Sequence, residues 1–134
     1  MVACIVDNSV VVAWLYPGQA TQYTERLLER SGSSTLHASF IWPAEFANAA
    51  SVMVKRGILT DELGAEMIRM VDAFDLVVDR TPADLRQIYQ ISRRYGLSAY
   101  DASYLELAIR LKLPLATRDA TLKKASQTLD LFLS

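Results

Sequence analysis

The chain has little of what staples or anchors a protein. There is one cysteine and one histidine in 134 residues, with five glycines and four prolines. A single thiol, Cys4, cannot close an intrachain disulfide, so nothing demands an oxidising compartment. Cys4 lies in the apolar run Val2-Ala3-Cys4-Ile5-Val6 and reads as a small core residue. His37 follows Leu36 in a weak strand, has no carboxylate beside it in sequence, and reads as structural or surface. No stretch approaches the ~20 apolar residues of a membrane span. The N-terminal run lacks a positive lead-in and is broken by Asp7 and Asn8, which argues against a secretory signal. A cytoplasmic protein with no membrane contact is the expectation. A strong excess of either charge is also missing, since the net charge is −1. That is no basic footprint for a nucleic acid.

What is present is the material of a folded domain: 51% hydrophobic and 22% charged residues. The length fits one domain over residues 1–134 with its own core. Val2–Val6 has the continuous apolar character of a strand buried on both faces. Helices are expected over Ser9–Tyr16, Gln19–Arg30, Pro43 to about Lys55, Asp61–Val71, Thr81 to Arg94, Asp101 to Pro114 and Ala120–Gln127. Their limits come from cap residues before them and from glycine or proline after them. Further strands are expected at Thr35–Ala38, Ala73–Val78, Leu115-Ala116 and Leu129–Leu133. Strands alternating with helices imply an α/β fold, a parallel sheet covered on both faces.

Four acids stand at the joints of this pattern: Asp7, Glu45, Asp101 and Asp119. Asp7 and Asp119 leave strands, while Glu45 and Asp101 open helices. In a parallel sheet all four can reach the edge beyond the strand carboxyl ends, where ligands bind. Each alone has a plain reading, as a helix cap or as a negative charge on the positive end of a helix. Together they would repel one another unless a hard cation lay between them, and oxygen-only donors suit Mg²⁺ or Mn²⁺. With these four set aside, 14 basic residues face 11 acidic ones, a balance that tolerates a polyanion.

The contexts of the acids are Val6-Asp7-Asn8-Ser9, Glu45-Phe46-Ala47-Asn48, Tyr100-Asp101-Ala102 and Thr117-Arg118-Asp119. In that order and spacing, over nearly the whole chain, the sequence resembles the PIN-domain nucleases. It is most similar to the VapC toxins of VapBC toxin–antitoxin modules. The resemblance implies a three-layer α/β/α sandwich on a central parallel sheet of four to five strands. It implies a Mg²⁺- or Mn²⁺-dependent endoribonuclease leaving a 5′-phosphate and a 3′-hydroxyl. It also implies a homodimer held inactive by a small VapB-like antitoxin. By analogy Asp7, Glu45, Asp101 and Asp119 are the catalytic and metal carboxylates, Asp119 directly or through water. Ser9 and Thr117 would orient a carboxylate, a water or a phosphate oxygen. Asn48, one helical turn from Glu45, would hold that side chain in place. Arg118 would reach a substrate phosphate.

Other readings remain. A haloacid-dehalogenase-like phosphatase needs a second Asp two residues after the first, where this chain has Ser9. A receiver-type domain needs an acceptor Asp after a central strand, and no Asp lies between Asn8 and Thr60. A PIN nuclease of RNA processing, or an inactive PIN scaffold, stays open. Trp14, Tyr16 and Trp42 fit either core packing or an apolar groove that receives a partner.

Overall fold

The computed structural model describes residues 3–134. Residue Val2 of the first expected strand lies outside them, and β1 runs Ala3–Val6. Its Cys4, Ile5 and Val6 are all buried, as an uninterrupted apolar run predicts for a strand covered on both sides. Helix α1 (Asn8–Leu15) follows at once. Its Val10, Val11 and Val12 are poor helix formers, yet all three are buried, so packing rather than propensity holds them. A short 3₁₀ turn at Pro17–Gln19 leads to α2 (Gln22–Ser31). Then come β2 (Thr35–Ala38), α3 (Trp42–Lys55) and α4 (Asp61–Val71). The rest is β3 (Val77–Val78), α5 (Leu85–Tyr95), α6 (Ala99–Leu111), β4 (Leu115–Ala116) and α7 (Ala120–Thr128).

The four strands form one parallel sheet in the order β3-β2-β1-β4. Cys4 is in register with Leu36, and Ile5 with both His37 and Leu115. Helix α1 packs against α2, α3 and α4, while α6 packs against α5 and α7. The result is the expected three-layer α/β/α sandwich, with four strands. β1 continues toward β2 on one side and meets β4 on the other. Connections diverge at that point, which opens a crevice beyond the carboxyl ends of β1 and β4.

Three expected elements differ. Leu129–Leu133 is not a full strand. It makes one parallel bridge, Leu115 to Phe132, with Leu115 N donating to Leu131 O at 2.6 Å and Leu133 N to Leu115 O at 2.8 Å. Its partner β4 is two residues long, and Asp130 takes a left-handed conformation (φ 56°) that interrupts the run. Ala73–Val78 is shortened to Val77–Val78, because residues Asp72–Phe74 close a 3₁₀ turn ended by left-handed Asp75 (φ 52°). Helix α5 starts at Leu85 rather than Thr81, where the Asp84 carboxylate accepts from Gln87 N at 3.1 Å and fixes the N-cap. Among the described residues no helix is long and apolar enough to cross a membrane.

Candidate active site

Asp7 is the N-cap of α1, with extended backbone (φ −83°, ψ 169°). Its side chain is 4% exposed. The carboxylate accepts from Val10 N at 3.3 Å, from Ser9 Oγ at 2.5 Å and from Thr117 Oγ1 at 2.6 Å. Both hydroxyls are held in turn: Arg118 N donates to Ser9 Oγ at 3.1 Å, and Asp119 N to Thr117 Oγ1 at 3.0 Å. The loop after β4 is thereby fastened to the start of α1 across the crevice. Burial pushes the Asp7 carboxyl up to about 6; the two hydroxyls and the Val10 amide oppose it, and the Asp101 charge adds to it.

Glu45 lies in the first turn of α3, half-buried. Tyr104 Oη donates to its Oε1 at 2.7 Å. Asp101 lies in the first turn of α6, its amide donating to the N-cap hydroxyl of Ser98 at 3.1 Å. Asp119 is the N-cap of α7, where Oδ2 accepts from Leu122 N at 2.8 Å. Burial raises Glu45, the Tyr104 bond opposes it, and the charge of Asp101 raises it further. Asp101 is raised by burial first and then by the charge of Asp119. Every one of the four acids is also engaged at a helix start.

The residues around them sort less uniformly. Asn48 lines a cleft of about 510 Å³ with Glu45, Asn8 and Tyr100, but the hydrogen bond on Glu45 comes from Tyr104. Tyr104 lies among the buried apolar residues of α6. It is 1% exposed, and a buried phenol needs a partner. Its spacing of three from Asp101 places both on one helix face, a signal that could have found it. Asn8 Oδ1 is buried with no partner among the described residues and lines the same cleft. Arg118 turns its guanidinium to Ser9 O at 3.3 Å and Gln19 Oε1 at 3.2 Å. Trp42 is buried against Phe46, and Trp14 stacks on Phe74 with its indole N–H on Thr24 O, so both serve the core. Cys4 is a core thiol, pushed up to about 11 mainly by burial.

An all-oxygen donor set with an unpartnered buried amide oxygen fits a hard divalent cation in chemistry. The arrangement is not a closed cage: among the described residues, no three acidic, histidine or cysteine side chains are gathered into a metal-holding group. Asp7, Glu45 and Asp119 are each drawn to their own hydrogen-bond partners instead.

Comparison with known proteins concerns the chain as a whole. The model of the PIN domain matches residues 4–127. Ribonuclease VapC1 of Mycobacterium tuberculosis is 35% identical over 126 residues, covering 91% of this chain and 90% of the relative. Ribonuclease VapC3 of Pyrobaculum aerophilum is 27% identical over 120 residues, covering 88% and 90%. Among solved structures, the crystal structure of PAE2754 from Pyrobaculum aerophilum superposes with a TM-score of 0.69 at 20% identity, covering 92% of this chain and 79% of that one. The chain belongs to the PIN-domain family. Within that family it is VapC-like along most of its length.

Proposed function

We propose that this chain is a divalent-metal-dependent endoribonuclease, one PIN domain over residues 1–134, acting as the toxin of a toxin–antitoxin pair. The observation that supports the proposal is the position of Asp7, Glu45, Asp101 and Asp119 at four helix starts, in a chain matched by the PIN domain over residues 4–127. A buried carboxylate such as Asp7 is costly unless a cation or a reaction uses it. The relatives named ribonucleases supply the substrate class.

In this reading Asp7, Glu45, Asp101 and Asp119 hold Mg²⁺ or Mn²⁺. When bound, the cation supplies positive charge to the scissile phosphate and makes the attacking water more acidic. Ser9 and Thr117 hold the two Asp7 oxygens in place through their hydroxyls. Tyr104 keeps one Glu45 oxygen fixed and leaves the other free. Asn48 and Asn8 offer amide groups to water or to the sugar-phosphate chain, and Arg118 offers donors to a phosphate. A VapB-like antitoxin covering the acids would silence the enzyme, and a homodimer would be the resting assembly. The cytoplasm, where RNA is abundant, is the expected compartment.

The test is RNA cleavage by the parent and by Asp7→Asn and Asp101→Asn, with Mg²⁺, Mn²⁺ or excess EDTA. Each variant should lose about a hundredfold or more in rate, and EDTA should abolish cleavage reversibly. Full cleavage by Asp101→Asn, or in EDTA, would falsify the assignment. Growth arrest on expression, relieved by a small protein encoded beside it, separates a toxin from an RNA-processing enzyme.

A further inference from the structure

Beside the acids lies a second cleft, of about 450 Å³, lined by Arg26, Arg118 and Lys123 together with Tyr23, Phe132 and Thr117. The three cations come from separate elements: α2, the loop after β4, and α7. Their meeting depends on the C-terminal segment, which forms a wall instead of a strand. Tyr23 Oη donates to Leu133 O at 2.6 Å, and the Tyr23 and Phe132 rings stack with centroids 5.9 Å apart. Lys123 Nζ stands 5.2 Å from the Phe132 ring centroid. The main chain of Ser134 at the rim is engaged by Arg30 at 3.2 Å.

No acidic side chain lines this cleft. Among the described residues none of its three cations is in an ion pair, whereas Arg69 and Arg110 each meet carboxylates. Three cations outside any described ion pair thus line one cleft. Arg118 is already oriented by Ser9 and Gln19 through one guanidinium nitrogen. The other donors of its planar fork stay available for a phosphate. The cleft also adjoins the acids. Thr117 lines it and donates to Asp7 at 2.6 Å, and the Asp7 charge is felt at Tyr23.

We infer that the Arg26–Arg118–Lys123 cleft binds a backbone phosphate of the RNA strand next to the scissile one, and so sets which way the strand runs through the crevice. The inference rests on the nuclease reading and adds a substrate subsite to it. Phosphate contacts of this kind position a nucleic acid without reading its bases. Each contact also adds about −0.7 to the slope of log affinity against log salt for a single strand.

The experiment measures binding of a short labelled oligouridylate in EDTA by fluorescence anisotropy across a salt series. Cleavage of the same RNA with Mn²⁺ is followed separately. The Arg26→Gln/Lys123→Gln variant changes only exposed side chains, and its unaltered melting curve is checked first. Its affinity should fall roughly tenfold and its salt slope should flatten by about 0.7 to 1.4. Arg93→Gln/Arg94→Gln removes the same charge on α5 and should match the parent. Equal affinity and slope in the parent and in Arg26→Gln/Lys123→Gln overturns the subsite, even where cleavage upholds the nuclease. Failure of the parent both to bind and to cleave RNA removes the nuclease reading and the subsite together. Polyglutamate binding that is lost in Arg26→Gln/Lys123→Gln, with RNA binding intact, also overturns the inference and assigns the cleft to an acidic peptide.

Discussion

Asp7 is buried among hydroxyls and a backbone amide, and the described ion pairs include no cation for it. Its folded value of about 6 lies above the ordinary carboxylate range, so the native state holds this proton more tightly than the unfolded chain. The stability this group contributes is complete below about pH 4 and is lost as pH rises through 6. In EDTA, Asp7→Asn should therefore melt above the parent at pH 8, by on the order of 2 kcal/mol less the weakened hydrogen bonds. The gap should close near pH 4, and a pH series of circular-dichroism melts checks it. A gap independent of pH would mean that burial is not what raises Asp7. Tyr104→Phe is the second change at this scale. It strips the hydroxyl from Glu45 Oε1 and should cost roughly 1 kcal/mol of stability. Mn²⁺ affinity, read by calorimetry, should fall by roughly tenfold; unchanged affinity would leave Tyr104 a core residue only.

Helix starts are the elements that make the site. Asp7 and Asp119 are N-caps, while Glu45 and Asp101 occupy first turns. The cap reading of each acid and the site reading are thus the same geometry seen from two directions. Ser98→Ala tests this at α6. Loss of the cap should cost about 1 kcal/mol in a denaturant titration. It should also move the Asp101 carboxyl further up, since the Ser98 hydroxyl holds it down, and NMR titration of that carboxyl reads the change. Local signals of this kind were legible in the sequence. Thr60, a cap residue by type directly before Asp61, does cap Asp61–Val71, and its hydroxyl accepts from Leu63 N at 3.1 Å. What depended on distant partners was not legible. Tyr104 looked like one more apolar residue, because its carboxylate lies 59 positions away. Leu129–Leu133 looked like a strand, because the two-residue length of β4 and the left-handed Asp130 are not written in its own pattern. The basic cleft was equally hidden, since its wall exists only once Phe132 has stacked on Tyr23.

At the scale of the molecule, Leu85 and Tyr89 on α5 are 83% and 63% exposed and lie one helical turn apart. Together with the proposed homodimer, this predicts a light-scattering mass of twice 14.9 kDa at micromolar concentration. A monomer under those conditions would remove the dimer from the proposal. The β1–β4 pairing has a consequence in time as well as in space. Thr117, which orients Asp7, is made 110 positions after it. Synthesis adds about 5–20 residues per second, so for several seconds the nascent chain holds its acids without their final geometry. A nuclease of the kind proposed would thereby stay incomplete on the ribosome until the Thr117 segment has been made and has closed onto Asp7.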